Sequence, residues 1–129
     1  MNNQQTREVE STYSSETLSD LVVDCIQDIK GKNIIKLDLR HLDDSPADFF
    51  IVCEGDSSVQ MRSIANNVSK RVKTEMSMPA THTEGTADAM WILVDFFDVV
   101  VHIFHPEART YYQIEELWND AHSFEYEDL

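Results

Sequence analysis

Several residue types are scarce in this sequence, and their scarcity excludes some classes of protein. The 129 residues include only 2 cysteines, 3 glycines and 3 prolines. Cys25 and Cys53 both stand at apolar positions of predicted elements, so we expect core thiols in a reducing compartment and not a disulfide scaffold. The chain has no run of about 18 apolar residues that could cross a bilayer, and its polar N-terminus lacks a secretory apolar segment. We therefore expect a cytoplasmic protein that makes no membrane contact.

Basic residues are also few. The chain has 10 Lys and Arg against 24 Asp and Glu, which gives a formal net charge of −14 and a pI near 4.5. Proteins that grip phosphates directly need clustered Lys and Arg, so binding of bare nucleic acid is disfavoured and a basic protein partner suits the chain better. Acidity also keeps proteins soluble, so the charge is only a supporting observation.

The length suits one domain with a real core. The polar, aperiodic residues 1–14 are interpreted as a flexible N-terminal arm, residues 15–122 as the domain, and residues 123–129 as a loose acidic tail. Hydrophobic periodicity and turn residues divide the domain. The predicted elements are a helix from Ser15 to just before Gly31, a half-wet strand over 33–39, a central strand over 49–53 buried on both faces, a helix over 58–76 begun by a Ser57/Gln60 capping box, a short strand over 80–84, a hairpin over 90–104, and a helical stretch over 106–121.

The hairpin carries the most information about function. With Phe96 and Phe97 as the central turn residues, the expected cross-strand pairs are Asp95 with Asp98, Leu93 with Val100, and Trp91 with His102. Strand alternation then separates two faces. The apolar face comprises Met90, Ile92, Val94, Val99, Val101 and Ile103, whereas the mixed face comprises Trp91, Leu93, Asp95, Asp98, Val100, His102 and Phe104.

The mixed face has two interpretations. Large apolar groups beside carboxylates are typical of a surface that binds a cationic protein partner. Small α/β folds often cover both faces of the sheet, so a second buried layer is the alternative. Aromatic residues are unusual at a tight hairpin tip, which favours Gly and Asn, so a different loop also stays open.

Several ordered motifs resemble the ribosomal silencing factor family, also known as Iojap. They are ADFFIVCEG at 47–55 with Ser57 and Gln60, EG at 84–85, WILVD at 91–95, DVVVHIF at 98–104, and Arg109, Tyr111, Tyr112, Leu117 and Trp118 near the C-terminus. The similarity runs from about Leu18 to Ala121. In one place the chain departs from the family, which usually has Gly immediately before the second hairpin aspartate where this chain has Phe97.

The resemblance implies an α/β fold of the α+β type with a mixed five-stranded sheet and flanking helices, related to nucleotidyltransferases but without their active site. It also implies a non-enzymatic protein, often a homodimer, without cofactor. Such a protein binds the large ribosomal subunit through its ribosomal protein number fourteen and blocks association with the small subunit, so that translation is repressed. The implied partner-binding residues are Trp91, Leu93, Asp95, Phe96, Phe97, Asp98, Val100 and His102.

The sequence also allows alternative functions. The alternative function is a nucleotide-handling enzyme of related fold, for which Gly55, Asp56 and Ser57 at a helix start would bind phosphate. Acidic neighbours and the capping box favour a helix start without a ligand. The histidines offer no metal site, because His102 and His105 point to opposite faces of a strand. A minor contact with ribosomal RNA through Arg62, Lys70, Arg71 and Lys73 of the second helix, and self-pairing of the mixed face, complete the alternatives.

Overall fold

The computed structural model describes residues 13–85 and 89–129. The predicted N-terminal arm lies almost entirely outside the described residues. Ten elements follow in chain order: α1 (Ser15–Asp28), β1 (Lys32–Asp38), β2 (Phe49–Glu54), α2 (Ser58–Met76), β3 (His82–Glu84), β4 (Trp91–Asp95), β5 (Val99–Phe104), α3 (Pro106–Tyr112), α4 (Ile114–Leu117) and β6 (His122–Tyr126).

The strands form one mixed sheet in the order β3-β4-β5-β2-β1-β6. β2 and β5 are parallel, and the other neighbouring pairs are antiparallel. The mixed sheet with flanking helices confirms the predicted fold class, but the sheet has six strands instead of five. The sixth is β6, which pairs with β1, so the prediction of a loose tail is wrong for residues 123–126. Its polar residues conceal the alternation that marks a strand.

The two long helices cover one face of the sheet, as their periodicity predicts. Ser14 caps α1, and Ser57 caps α2 by accepting the Gln60 backbone N–H at 3.1 Å. The Gln60 side chain accepts the Asp56 backbone N–H at 2.6 Å, one residue before the cap, so the Ser57 half of the predicted capping box is confirmed and the Gln60 half is displaced by one residue. Both helices bury their apolar sides against β2, β4 and β5 in the main core.

The opposite face of the central strands is also covered. A second core cluster contains Leu37, Phe50, Val52 and Phe104, and it is closed by Leu39, Ala47, Ala108 and Ile114 from the segments after β1 and after β5. β2 is therefore buried on both faces, as predicted. The second buried layer is present over β2 and β5, which limits how much of the predicted mixed face is accessible.

Two further expectations about these segments are wrong. The face of β1 that was predicted to be solvent-exposed is buried. Lys36 forms an ion pair with Asp20 and Asp38 forms one with Arg40, each at 2.7 Å. The predicted helix over 106–121 is interrupted at Gln113, whose φ of 48° is left-handed and ends α3. A four-residue helix and a turn complete the segment.

Candidate functional site

The hairpin turn lies one residue later than the sequence predicts. Phe96 donates its backbone N–H to the Val99 carbonyl at 2.9 Å, which makes Phe97 and Asp98 the central residues. The observed pairs are Asp95 with Val100, Leu93 with His102, and Trp91 with Phe104, so the predicted pairs are wrong. Moving the turn by one residue shifts each partner by two positions. The side chains therefore keep the faces that alternation assigns to them.

The two aromatic residues at the tip have opposite environments. Phe96 is only 4% exposed and belongs to the main core, whereas Phe97 is 76% exposed. Phe96 continues the inward alternation of Ile92 and Val94 one residue beyond the strand, so the prediction that it is an exposed contact is wrong. Met90, assigned to the core face, is instead exposed, because it lies just before β4 begins.

Phe97 has a backbone conformation that favours glycine. Its φ is 75°, and the Asp98 backbone N–H donates to the Phe96 carbonyl at 3.0 Å across it, which is a γ-turn with positive φ. The Asp95 carboxylate accepts the Phe97 backbone N–H at 2.7 Å and fixes the tip. Glycine adopts such a conformation without steric cost, so a phenylalanine is an unusual residue for this turn.

The outer face of β4 is the accessible part of the hairpin. Trp91, Leu93 and Asp95 are half-buried there, while the second core cluster buries Val100 and His102 on β5. The structure thus leaves five of the predicted contact residues accessible: Trp91, Leu93, Asp95, Phe97 and Asp98. Three are buried: Phe96, Val100 and His102.

His102 is the buried residue that orients the Trp91 side chain. The indole Nε1–H of Trp91 donates to His102 Nδ1 at 3.2 Å, and the Phe50 ring lies edge-on to the imidazole at 4.6 Å. Burial lowers the pKa of His102 to about 4, so the ring is neutral at pH 7. Because Nδ1 accepts, the ring hydrogen is assigned to Nε2, which has no hydrogen-bond partner among the described residues. His102 therefore orients the tryptophan instead of forming surface itself.

Aromatic residues of α3 extend the accessible surface beyond Trp91. The Trp91 ring lies 4.9 Å from both the Phe104 and Tyr112 rings, and Tyr111 lies 5.0 Å from Tyr112. Tyr111 is 80% exposed and Tyr112 is 48% exposed. The sequence left these tyrosines between core and interface. Their adjacency was the available signal, since two consecutive helical residues differ in direction by about 100°.

Acidic groups border this surface on the β3 side. In the sheet register, Glu84 pairs with Leu93 and His82 pairs with Asp95, so the Glu84 and His82 side chains lie on the same face as the outer side of β4. The Glu84 carboxylate and the His82 ring are 2.8 Å apart. At the tip, burial and the neighbouring Asp48 carboxylate raise the pKa of Asp98. Sequence reasoning missed Glu84, which only the β3–β4 register places here. We call Trp91, Leu93, Asp95, Phe97, Tyr111 and Tyr112 the β4 surface.

The helix start considered for phosphate binding is occupied by the protein itself. The Ser57 hydroxyl accepts the Gln60 N–H in the first turn of α2, the Gln60 side chain accepts the Asp56 N–H before the helix, and Asp56 pairs with Lys32 at 3.5 Å. Glu54 accepts from Arg109 at 3.1 Å. Within residues 13–85 and 89–129, no three His, Cys, Asp or Glu side chains lie together as metal ligands would. The same residues include no helix long and apolar enough to cross a membrane.

Comparisons with known proteins agree on one family. Residues 12–129 match the family model described as "Ribosomal silencing factor during starvation". The chain is 38% identical over 116 residues to a ribosomal silencing factor from Halalkalibacterium halodurans, covering 90% of this chain and 97% of the relative. It is 43% identical over 101 residues to one from Chromobacterium violaceum, covering 78% and 81%. A crystal structure of a Chromobacterium violaceum protein superposes with a TM-score of 0.78 at 40% identity, covering 83% of this chain and 88% of that one.

Proposed function

Because the chain belongs to the ribosomal silencing factor family, we propose that it binds the large ribosomal subunit and prevents the small subunit from joining. The contact is made to ribosomal protein number fourteen of the large subunit, and the block is steric. The role is regulatory, with the protein in the cytoplasm and translation repressed while it is bound. The β4 surface is the contact site.

The observation that carries this proposal is the exposure of an ordered aromatic cluster beside the outer face of β4. Trp91 is fixed by its hydrogen bond to His102 and by stacking on Phe104, so little side-chain entropy is lost when a partner buries it. Tyr111 and Tyr112 add apolar area beside it. Ordered tryptophan and tyrosine side chains are the residues that most often dominate binding energy at protein interfaces.

Charge supports a basic partner. Glu84 and Asp95 lie along one side of the aromatic cluster and Asp98 at the tip, and the whole chain carries a net charge of −14. Rim carboxylates of this kind accelerate association with a cationic surface and select against acidic ones. A contact through the β4 surface also does not require direct binding to ribosomal RNA.

Helix α2 offers only a minor route to RNA. Arg71 is already paired with Asp24, Asp28 and Glu75, which neutralises its charge, whereas Lys70 and Lys73 are exposed. A limited contact between these lysines and the phosphate backbone of ribosomal RNA remains part of the proposal. So does a homodimer off the ribosome, in which the aromatic cluster is covered by a second copy and released when the subunit binds.

The test is co-sedimentation of the protein with separated large and small subunits, using Tyr111→Ala and Trp91→Ala variants. Truncating either aromatic residue should lower affinity for the large subunit by more than about 1 kcal/mol. Thr74→Ala, at an exposed position of α2 outside the proposed contacts, is the control and should bind like the wild type. Equal pelleting of all four proteins would place the contact elsewhere, and pelleting with the small subunit would contradict the proposal.

A further inference from the structure

The two edges of the sheet differ in a way that the β4 surface does not explain. β3 is a three-residue edge, and short edge strands resist pairing with other chains. β6 forms the other edge with five residues in unbroken register against β1. It contains neither Lys nor Pro, the residues that commonly protect an edge, and no bulge interrupts it. One row of its backbone groups is therefore available for a further strand.

The side chains of β6 divide into two kinds by alternation. His122, Phe124 and Tyr126 pair with Asp38, Lys36 and Ile34, so they lie on the helix side of the sheet, with Phe124 half exposed. Ser123 and Glu125 pair with Leu37 and Ile35 on the opposite side. A strand added to this edge would meet an aromatic residue on one face and a carboxylate on the other.

The carboxylates of this edge lack cations. Residues 122–129, which comprise β6 and the residues after it, contain no Lys or Arg, and their acidic residues are Glu125, Glu127 and Asp128. Among the described residues, none forms an ion pair with Glu125 or Glu127. A cavity of about 500 Å³ opens beside them, lined by Asn33, Ile34, Ile35, Glu125, Tyr126, Glu127 and Asp128. It can take a long cationic side chain.

We infer that the β6 edge binds an extended basic segment of another protein by strand addition, with cationic residues facing Glu125 and Glu127 and apolar residues facing Phe124. Main-chain hydrogen bonds hold the segment, and the alternating side chains select it. A second copy of this chain fits poorly, because its β6 would bring another set of uncompensated carboxylates. The inference is independent of the proposed function, since the β6 edge and the β4 surface lie at different positions of the sheet.

The experiment uses the full chain and two synthetic peptides of about ten residues, the usual upper length of a strand. One alternates Lys with Val, and the other has the same composition with all Lys before all Val. Fluorescence anisotropy gives the affinities, and NMR amide shifts map the site. The alternating peptide should bind about tenfold more tightly, the difference that one or two net backbone hydrogen bonds supply. The shifts should centre on residues 122–127.

Charge-matched variants test the pairing. The double variant Glu125→Gln with Glu127→Gln should bind the alternating peptide about fivefold more weakly, as expected for two exposed ion pairs. Asp44→Asn with Glu116→Gln removes the same charge away from the edge and should change little. Equal binding of both peptides, shifts centred on the β4 surface, or no binding at low salt would overturn the inference. So would β6 amides that are protected in the free protein and lose protection on dilution, because a second copy would then occupy the edge.

Discussion

Replacing Phe97 by glycine should stabilise the fold relative to replacing it by alanine. Phe97 has a φ of 75° at the centre of a γ-turn. Any residue with a Cβ pays roughly 1–2 kcal/mol for a left-handed conformation. Glycine avoids that cost but loses about 0.5–1 kcal/mol more conformational entropy on folding. We expect Phe97→Gly to be more stable than Phe97→Ala by about 1 kcal/mol, which corresponds to roughly 2–5 °C in Tm for a chain of this size.

Alanine is the matched control because both variants lose the same exposed ring. Urea unfolding followed by circular dichroism should give equal slopes for the two variants and a higher midpoint for Phe97→Gly. If the two midpoints coincide, the turn is relaxed and the strain argument is refuted. Both variants should weaken large-subunit binding to a similar extent, since each removes the same contact area from the β4 surface. A strained position at a hairpin tip is typical of residues retained for contact and not for stability.

Two further predictions follow from buried residues of the hairpin. Phe96→Ala should destabilise the protein by about 3–5 kcal/mol, because it opens a cavity in the main core, and urea unfolding measures this; a loss below about 1 kcal/mol would mean that Phe96 is not core. For His102, burial lowers the folded-state pKa to about 4, whereas the unfolded value is near 6.5. Between these two pH values the unfolded state binds more protons than the folded state. The free energy of unfolding therefore decreases as the pH falls through this window. Between pH 7 and pH 5 the wild type should lose about 2 kcal/mol more than His102→Gln, and parallel pH profiles of the two proteins would show that His102 is not buried neutral.

The sequence predicted the parts of the fold that local chemistry determines. The apolar periodicity of α1 and α2, the Ser57 cap of α2 and the uniformly apolar run of β2 each express a single strong local preference. β6 was missed because its pairing with β1 is long-range and leaves most of its side chains exposed, so burial imposes no apolar pattern on it. Gln113, in the left-handed region without being glycine, gave no sign of the break between α3 and α4.

The sequence predicted which face of the hairpin each candidate site residue lies on, but not how deeply each residue is buried. Alternation assigned Trp91, Leu93 and Asp95 to one side of β4, and a two-residue change of register preserves that assignment. Alternation does not report what covers a strand, however. The second core cluster covers Val100, and Phe50 and Trp91 pack against His102. The turn lies one residue later than predicted, and Phe96 points inward. These are tertiary effects that residue spacing within the hairpin does not encode.

The central claim is tested most directly by subunit joining. Purified large and small subunits are mixed with increasing amounts of the protein, and joined ribosomes are separated from free subunits on a sucrose gradient. The account predicts that joined ribosomes decrease as the large subunit becomes occupied, and that Tyr111→Ala shifts this effect to higher protein concentration. Full occupancy of the large subunit with an unchanged yield of joined ribosomes would contradict it.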